Sequence, residues 1–112
     1  MTFGSVLRQL REEKRLRQVD IANAIGVSTV YICDIEKDRR NPPDYKKLQQ
    51  IAGKLELTEE KTAELFDLAG QARGEVAPDI IEYLVANPEV QASIRQTILR
   101  EKRVIDNGIE LI

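Results

Sequence analysis

Histidine is absent from the 112 residues, and cysteine occurs once, at Cys33. Without histidine the chain has no imidazole base for the usual nucleophilic triads. With a single cysteine it has neither a Cys/His zinc set nor a disulfide of its own. Long apolar runs are missing as well. None approaches the roughly 18 residues of a membrane span, and no signal-peptide pattern opens the chain. Hydrophobic residues nevertheless make up 42% and charged residues 32%, which suffices for a core and excludes compositional disorder. The length fits one domain, or a small domain with an appendage. The expectation is a cytoplasmic, reduced, non-membrane protein that is no enzyme and needs neither cofactor nor metal.

A net charge of −2 argues mildly against a nucleic-acid partner, but the charge is unevenly spread. Residues 1–50 hold ten Lys+Arg against seven Asp+Glu, a balance of +3. Residues 51–112 hold seven against twelve, a balance of −5. A basic front half suits an anionic partner and an acidic back half suits a different task, although small domains reach such asymmetry by chance.

Hydrophobic spacing of three to four dominates, with no alternation of period two, so the chain reads as all-α. A first helix runs from about Thr2, its N-cap, to Lys14, with Phe3, Val6, Leu7 and Leu10 on one stripe. A short second helix, about Arg17 to Ile25, buries Val19, Ile21, Ala22 and Ile25, and Gly26 ends it. Ser28 caps a third helix reaching about Lys37. Asp38 to Pro43 is a turn, because two prolines forbid a helix there. Asp44 caps a fourth helix with Leu48, Ile51, Ala52 and Leu55. Thr58 caps a fifth, with Glu59 and Glu60 at the positive end of its dipole, and Gly70 or Gly74 stops it. A short helix around Ile80–Val85 follows. Asn87-Pro88 then opens a long last helix, as N-cap and N1.

Residues Gln18 to Glu36 form two short helices joined by a turn that begins with glycine, which is a helix-turn-helix. Ala22 must be small where the helices cross, and Ile21, Ile25, Val27, Ile32 and Ile35 form the wedge between them. Ser28, Thr29 and Val30 are thereby left free to enter a major groove. The matches Arg11, Gln18, Ile21-Ala22, Gly26-Val27-Ser28, Tyr31-Ile32, Ile35-Glu36 and Arg40-Asn41-Pro42 resemble the lambda-repressor-like, Cro/C1-type (XRE) family of helix-turn-helix regulators. The resemblance covers residues 3 to about 70. It implies a five-helix DNA-binding domain over residues 1–74, followed by one or two C-terminal helices over 75–112.

The resemblance also implies roles. Gln18 would bond a DNA phosphate, and Thr29 and Val30 would face base edges, Val30 offering apolar contact to a thymine methyl. Ser28, Tyr31 and Asp34 would border the groove, with Arg39, Arg40 and Asn41 against the backbone. Arg11 and Glu36 would form a partly buried ion pair. Gln18 also reads as a plain exposed polar residue, Arg39 and Arg40 as a solvated turn, and Tyr31 as an edge packing residue. Two positions depart from the family. Asp38 stands where glycine is usual and adds a negative charge near the phosphates. Asp34 replaces a polar or basic residue, which puts sequence preference and affinity in doubt.

Other constellations fail. Asp34, Glu36 and Asp38 begin like a calcium loop, but its glycine and glutamate positions hold Arg39 and Tyr45. Glu12-Glu13 and Glu59-Glu60 diverge by about 100° on a helix and are surface charges. Cys33 replaces the family's frequent serine and reads as packing.

Ala77-Pro78-Asp79-Ile80, Tyr83-Leu84, Asn87-Pro88 and Ile94-Arg95 resemble the tail of small regulators of mobile genetic elements, often encoded beside a metallopeptidase. The last helix aligns Val90, Ile94, Ile98 and Ile105, a stripe that must pack on something. It can fold back on the fifth helix, form a homodimer seam, or dock a partner. Ile109-Glu110-Leu111-Ile112 is apolar for a free end. The leading expectation is a homodimeric repressor of double-stranded DNA. The alternative is an interaction module such as an antitoxin, whose C-terminal segment binds a toxin or peptidase.

Overall fold

The computed structural model describes residues 1–111, with side chains to residue 104, and among these residues every regular element is helical. The elements are α1 (Phe3–Glu13), α2 (Gln18–Ile25), α3 (Thr29–Glu36), α4 (Tyr45–Lys54), α5 (Glu59–Arg73), α6 (Pro78–Ala86) and α7 (Pro88–Leu111). Their starts follow from local chemistry. Thr2, Ser28, Asp44 and Thr58 each accept a hydrogen bond from the backbone N–H three residues on, satisfying a donor the first turn leaves orphaned. At α2 the partner comes from inside the helix, where Asp20 accepts from the Arg17 N–H at 2.7 Å. That bond, joined by the Arg17 guanidinium, holds the Asp20 carboxyl below its ordinary pKa. The Lys47 N–H does the same for Asp44.

Two compact units divide the chain, 1–79 and 80–112. In the first, α2 packs on α3 and α4, and α1 packs on α3 and α5. Leu7, Ile21, Ile32, Ile35, Leu48, Ile51, Leu55 and Leu65 are fully buried at the centre. Tyr45 meets Phe66 edge-on, with ring centroids 5.5 Å apart. This unit extends five residues past the expected boundary at Gly74 because Ala77 is buried against the same core. Gly70 lies inside α5 rather than at its end. A Cβ there would sit 2.8 Å from the Ala77 N and the Glu75 O, so the returning backbone requires the glycine. Gly74 is the residue that stops α5, in the left-handed region.

The second unit exposes most of its apolar side chains. Ile80, Ile81, Tyr83 and Val85 on α6, and Ile94, Ile98, Leu99 and Val104 on α7, are all more than a third exposed. Asn87 stands at the N-cap position of α7, with Pro88 first in the helix and the Asn87 carbonyl accepting from the Val90 N–H at 3.0 Å. Its side-chain amide donates back to the Tyr83 carbonyl at 2.7 Å and so ties α7 to the end of α6. The Ile105 side chain and the side chains of residues 109–112 lie outside the described residues.

Candidate nucleic-acid interface

The wedge between α2 and α3 sets the geometry of the exposed face. Ile21, Ala22, Ile25, Ile32 and Ile35 are at most 5% exposed, and Val27 is half-buried. Gly26, at φ +72 and ψ +37, turns the chain between the two helices. Because α3 is pinned along its inner side, its first turn projects outward. Thr29 is exposed, Val30 is 69% exposed, and Ser28 caps the helix by accepting from the Tyr31 N–H at 3.1 Å. Asp34 and Tyr31 are half-buried on the same helix, and Asp34 also accepts, through its carbonyl, from the Arg39 N–H.

Beneath this face lies a buried polar knot. The Glu36 carboxylate accepts from Arg11 Nε at 2.7 Å, from Arg11 Nη2 at 2.9 Å and from Gln18 Nε2 at 3.0 Å. Arg11 also donates Nη1 to the Leu16 carbonyl at 2.9 Å, so one guanidinium ties α1, the α1–α2 turn and α3 together. Arg11 is 9% exposed and Glu36 7%. The hydrogen bond to Glu36 raises the Arg11 pKa against the opposing effect of burial. Gln18 therefore sits at the first position of α2 with one amide N–H held by Glu36. An amide carries two, and the second can serve a phosphate oxygen.

The α3–α4 loop is fixed by long-range bonds that local spacing does not encode. Asp38 has φ +57, a conformation aspartate tolerates better than most residues. Its carboxylate accepts from Thr2 Oγ1 at 2.6 Å and from the Gly4 N–H at 3.1 Å. The negative charge that Asp38 adds to this loop is thereby turned onto the N-terminus of α1, where the helix dipole favours it. The approach is close. A Cβ on Gly4 would lie 2.4 Å from the Ile35 carbonyl oxygen, so α1 meets the end of α3 backbone to backbone. At the other end of the loop, Arg73 donates to the Pro42 carbonyl. Between these anchors Arg39, Arg40 and Asn41 are exposed, and the Arg40 guanidinium lies 4.9 Å from the centre of the Tyr31 ring.

The first unit thus exposes the α3 tip and the basic loop, Arg40 of that loop lies by Tyr31 of α3, and Gln18 is held on Glu36 at the end of α3. Donors and positive charge stand beside an exposed apolar side chain there, together with the half-buried Asp34 carboxylate of α3. Among the described residues no group of His, Cys, Asp and Glu could hold a metal, and no helix is long and apolar enough to cross a membrane.

Residues 2–65 match the family described as Helix-turn-helix domain. The chain is 32% identical over 94 residues to the HTH-type transcriptional regulator DdrOP3 of Deinococcus deserti, covering 84% of this chain and 72% of that protein. It is 40% identical over 55 residues to the immunity repressor protein of Bacillus phage phi105, covering 49% of this chain and 38% of the repressor. It is also 41% identical over 50 residues to the ImmF control region 10 kDa protein of the same phage, 45% of this chain and 54% of that protein. The chain spans less than two thirds of either phage protein.

Proposed function

The chain belongs to the lambda-repressor-like helix-turn-helix family of DNA-binding transcriptional regulators, and we propose that it acts as a sequence-specific repressor. In this reading Thr29 and Val30 meet base edges in the major groove, bordered by Ser28, Tyr31 and Asp34. Gln18, Arg39, Arg40 and Asn41 meet the backbone on either side. The observation that carries the assignment is the outward tip of α3, with a 69% exposed valine on a helix whose other face is fully buried. The immunity repressor among the relatives supports repression as the outcome of that binding. The phage relatives support a place in a mobile genetic element, and a cytoplasmic location follows from the task.

In the same reading the protein works as a homodimer. A single first unit offers few basic contacts, and each phosphate contact adds only about 0.9 to the log–log salt slope. Val90, Ile94 and Ile98 of α7, with Ile105 beyond the described side chains, supply the seam. Ile94 and Ile98 are 44% and 48% exposed in the single chain, which leaves apolar area for a second copy. No catalytic role attaches to any of these residues.

Fluorescence anisotropy of a labelled duplex, titrated across a range of salt concentrations, tests the reading. Replacing Arg39 and Arg40 by alanine together should flatten the slope by about 0.9 for every phosphate no longer neutralised, hence about 3.6 for a dimer. A slope unchanged by the double substitution would remove the loop from the interface.

A further inference from the structure

The position of Tyr31 does not require it to touch DNA, yet its ring has a partner within the protein. That ring, half-buried on α3 and packed against the core, lies 4.9 Å from the Arg40 guanidinium. The separation is within the range in which a cation is attracted to the negative face of an aromatic ring. Arg40 belongs to a loop clamped at both ends, by Asp38 on Thr2 and Gly4 and by Arg73 on the Pro42 carbonyl. Among the described residues Arg40 forms no ion pair, so its charge is left for an anion. An unrestrained arginine would have to surrender its rotamer freedom on meeting a phosphate, and that loss would weaken binding.

We propose that Tyr31 is a positioning residue for DNA binding: its ring holds the Arg40 guanidinium ready for a backbone phosphate, and Tyr31 itself reads no base. This rests on the DNA-binding reading above and refines one interaction within it. The ring face alone is responsible, so the hydroxyl is dispensable. Tyr31 acts through Arg40, so its effect exists only while Arg40 is present. Because Arg40 still meets the phosphate without the ring, removing the ring changes affinity and leaves the number of displaced counterions alone.

The test is a double-mutant cycle on duplex affinity with full-length protein, with thermal melting of each variant run alongside. Tyr31→Phe should bind as the parent does. Tyr31→Leu should bind roughly 2- to 5-fold more weakly per protomer, hence roughly 4- to 25-fold for a dimer, with the salt slope unchanged, the size expected of an exposed cation–ring interaction. Arg40→Ala should flatten the slope by about 0.9 per protomer. In the Arg40→Ala background, Tyr31→Leu should then have no further effect. The proposal is overturned if Tyr31→Leu is without effect in the parent, if it weakens binding equally in both backgrounds, or if Tyr31→Phe is as weak as Tyr31→Leu. The last two results would assign Tyr31 a DNA contact of its own. Failure of the parent to bind any duplex would instead overturn the DNA-binding reading, and this proposal with it.

Discussion

Glu36→Ala will destabilise the first unit by about 3–5 kcal/mol, the range for removing one partner of a buried ion pair. The size comes from what is left behind. Arg11 is 9% exposed and always charged, and Glu36 is the carboxylate that receives its Nε and Nη2 donors at 2.7 and 2.9 Å. Without that carboxylate the guanidinium keeps only the Leu16 carbonyl and a glancing approach to Glu12 at 3.9 Å. Against a total stability of about 5–15 kcal/mol for a domain, such a loss is visible as a large drop in the urea midpoint. The pair also predicts its own rescue. Replacing both residues by apolar side chains of similar volume, as in Arg11→Met with Glu36→Leu, should recover most of the stability, because no unpaired charge remains buried. A single-variant loss under about 1 kcal/mol would contradict the burial and geometry described for this knot.

Val30→Glu should act in the opposite way, leaving the fold intact while removing DNA binding. The side chain is 69% exposed and supports no part of the core, so stability should stay within about 0.5 kcal/mol. A carboxylate in the first turn of α3 is even favoured by the helix dipole. At the duplex it replaces an apolar group by a negative charge among phosphates. One base contact is worth about 1–3 kcal/mol, and a dimer forfeits it twice, so affinity should fall by roughly 100-fold or more. The two substitutions therefore separate scaffold from interface: Glu36→Ala shifts the unfolding midpoint, and Val30→Glu shifts only the binding isotherm. A Val30→Glu protein that still bound its site within threefold of the parent would take α3 out of the groove.

The helices themselves are legible in the sequence because their signals are local. Thr2, Ser28, Asp44 and Thr58 lie next to the N–H groups they cap, and Gly26 and Gly74 adopt the left-handed conformation that suits them. The apolar wedge is legible for the same reason, since three- and four-residue spacing puts Ile21, Ile25, Ile32 and Ile35 on facing sides. What escapes the sequence is what pairs residues far apart in the chain. Asp38 reaches Thr2 across 36 residues, and nothing in the local pattern says which N-terminus its carboxylate will cap. Arg73 finds the Pro42 carbonyl across 31 residues. Tyr31 and Arg40 look like two separate candidates until the turn between them brings guanidinium over ring. The end of the first unit is hidden for a related reason. Ala77 carries no local sign that it will be buried, and Gly70 resembles a helix stop until the returning backbone shows why it lacks a side chain.

The net charge of −2 also looks different once the groups have positions. Glu36 is neutralised by Arg11, Asp38 is committed to the start of α1, and Asp20 to the start of α2. Much of the negative charge in the basic half is therefore engaged in holding the scaffold, while Arg39 and Arg40 stand exposed beside the α3 tip.

The most direct test of groove recognition by α3 asks which atoms of DNA the protein touches. A pool of randomised duplexes, selected for binding, is probed by guanine-N7 methylation and by thymine-to-uracil replacement, both of which alter the major groove. The expected result is an enriched sequence with two half-sites about one helical turn apart, roughly 34 Å between centres, and interference within each half-site. An enriched pool whose binding is indifferent to both modifications, or no enrichment at all, would contradict recognition through the major groove.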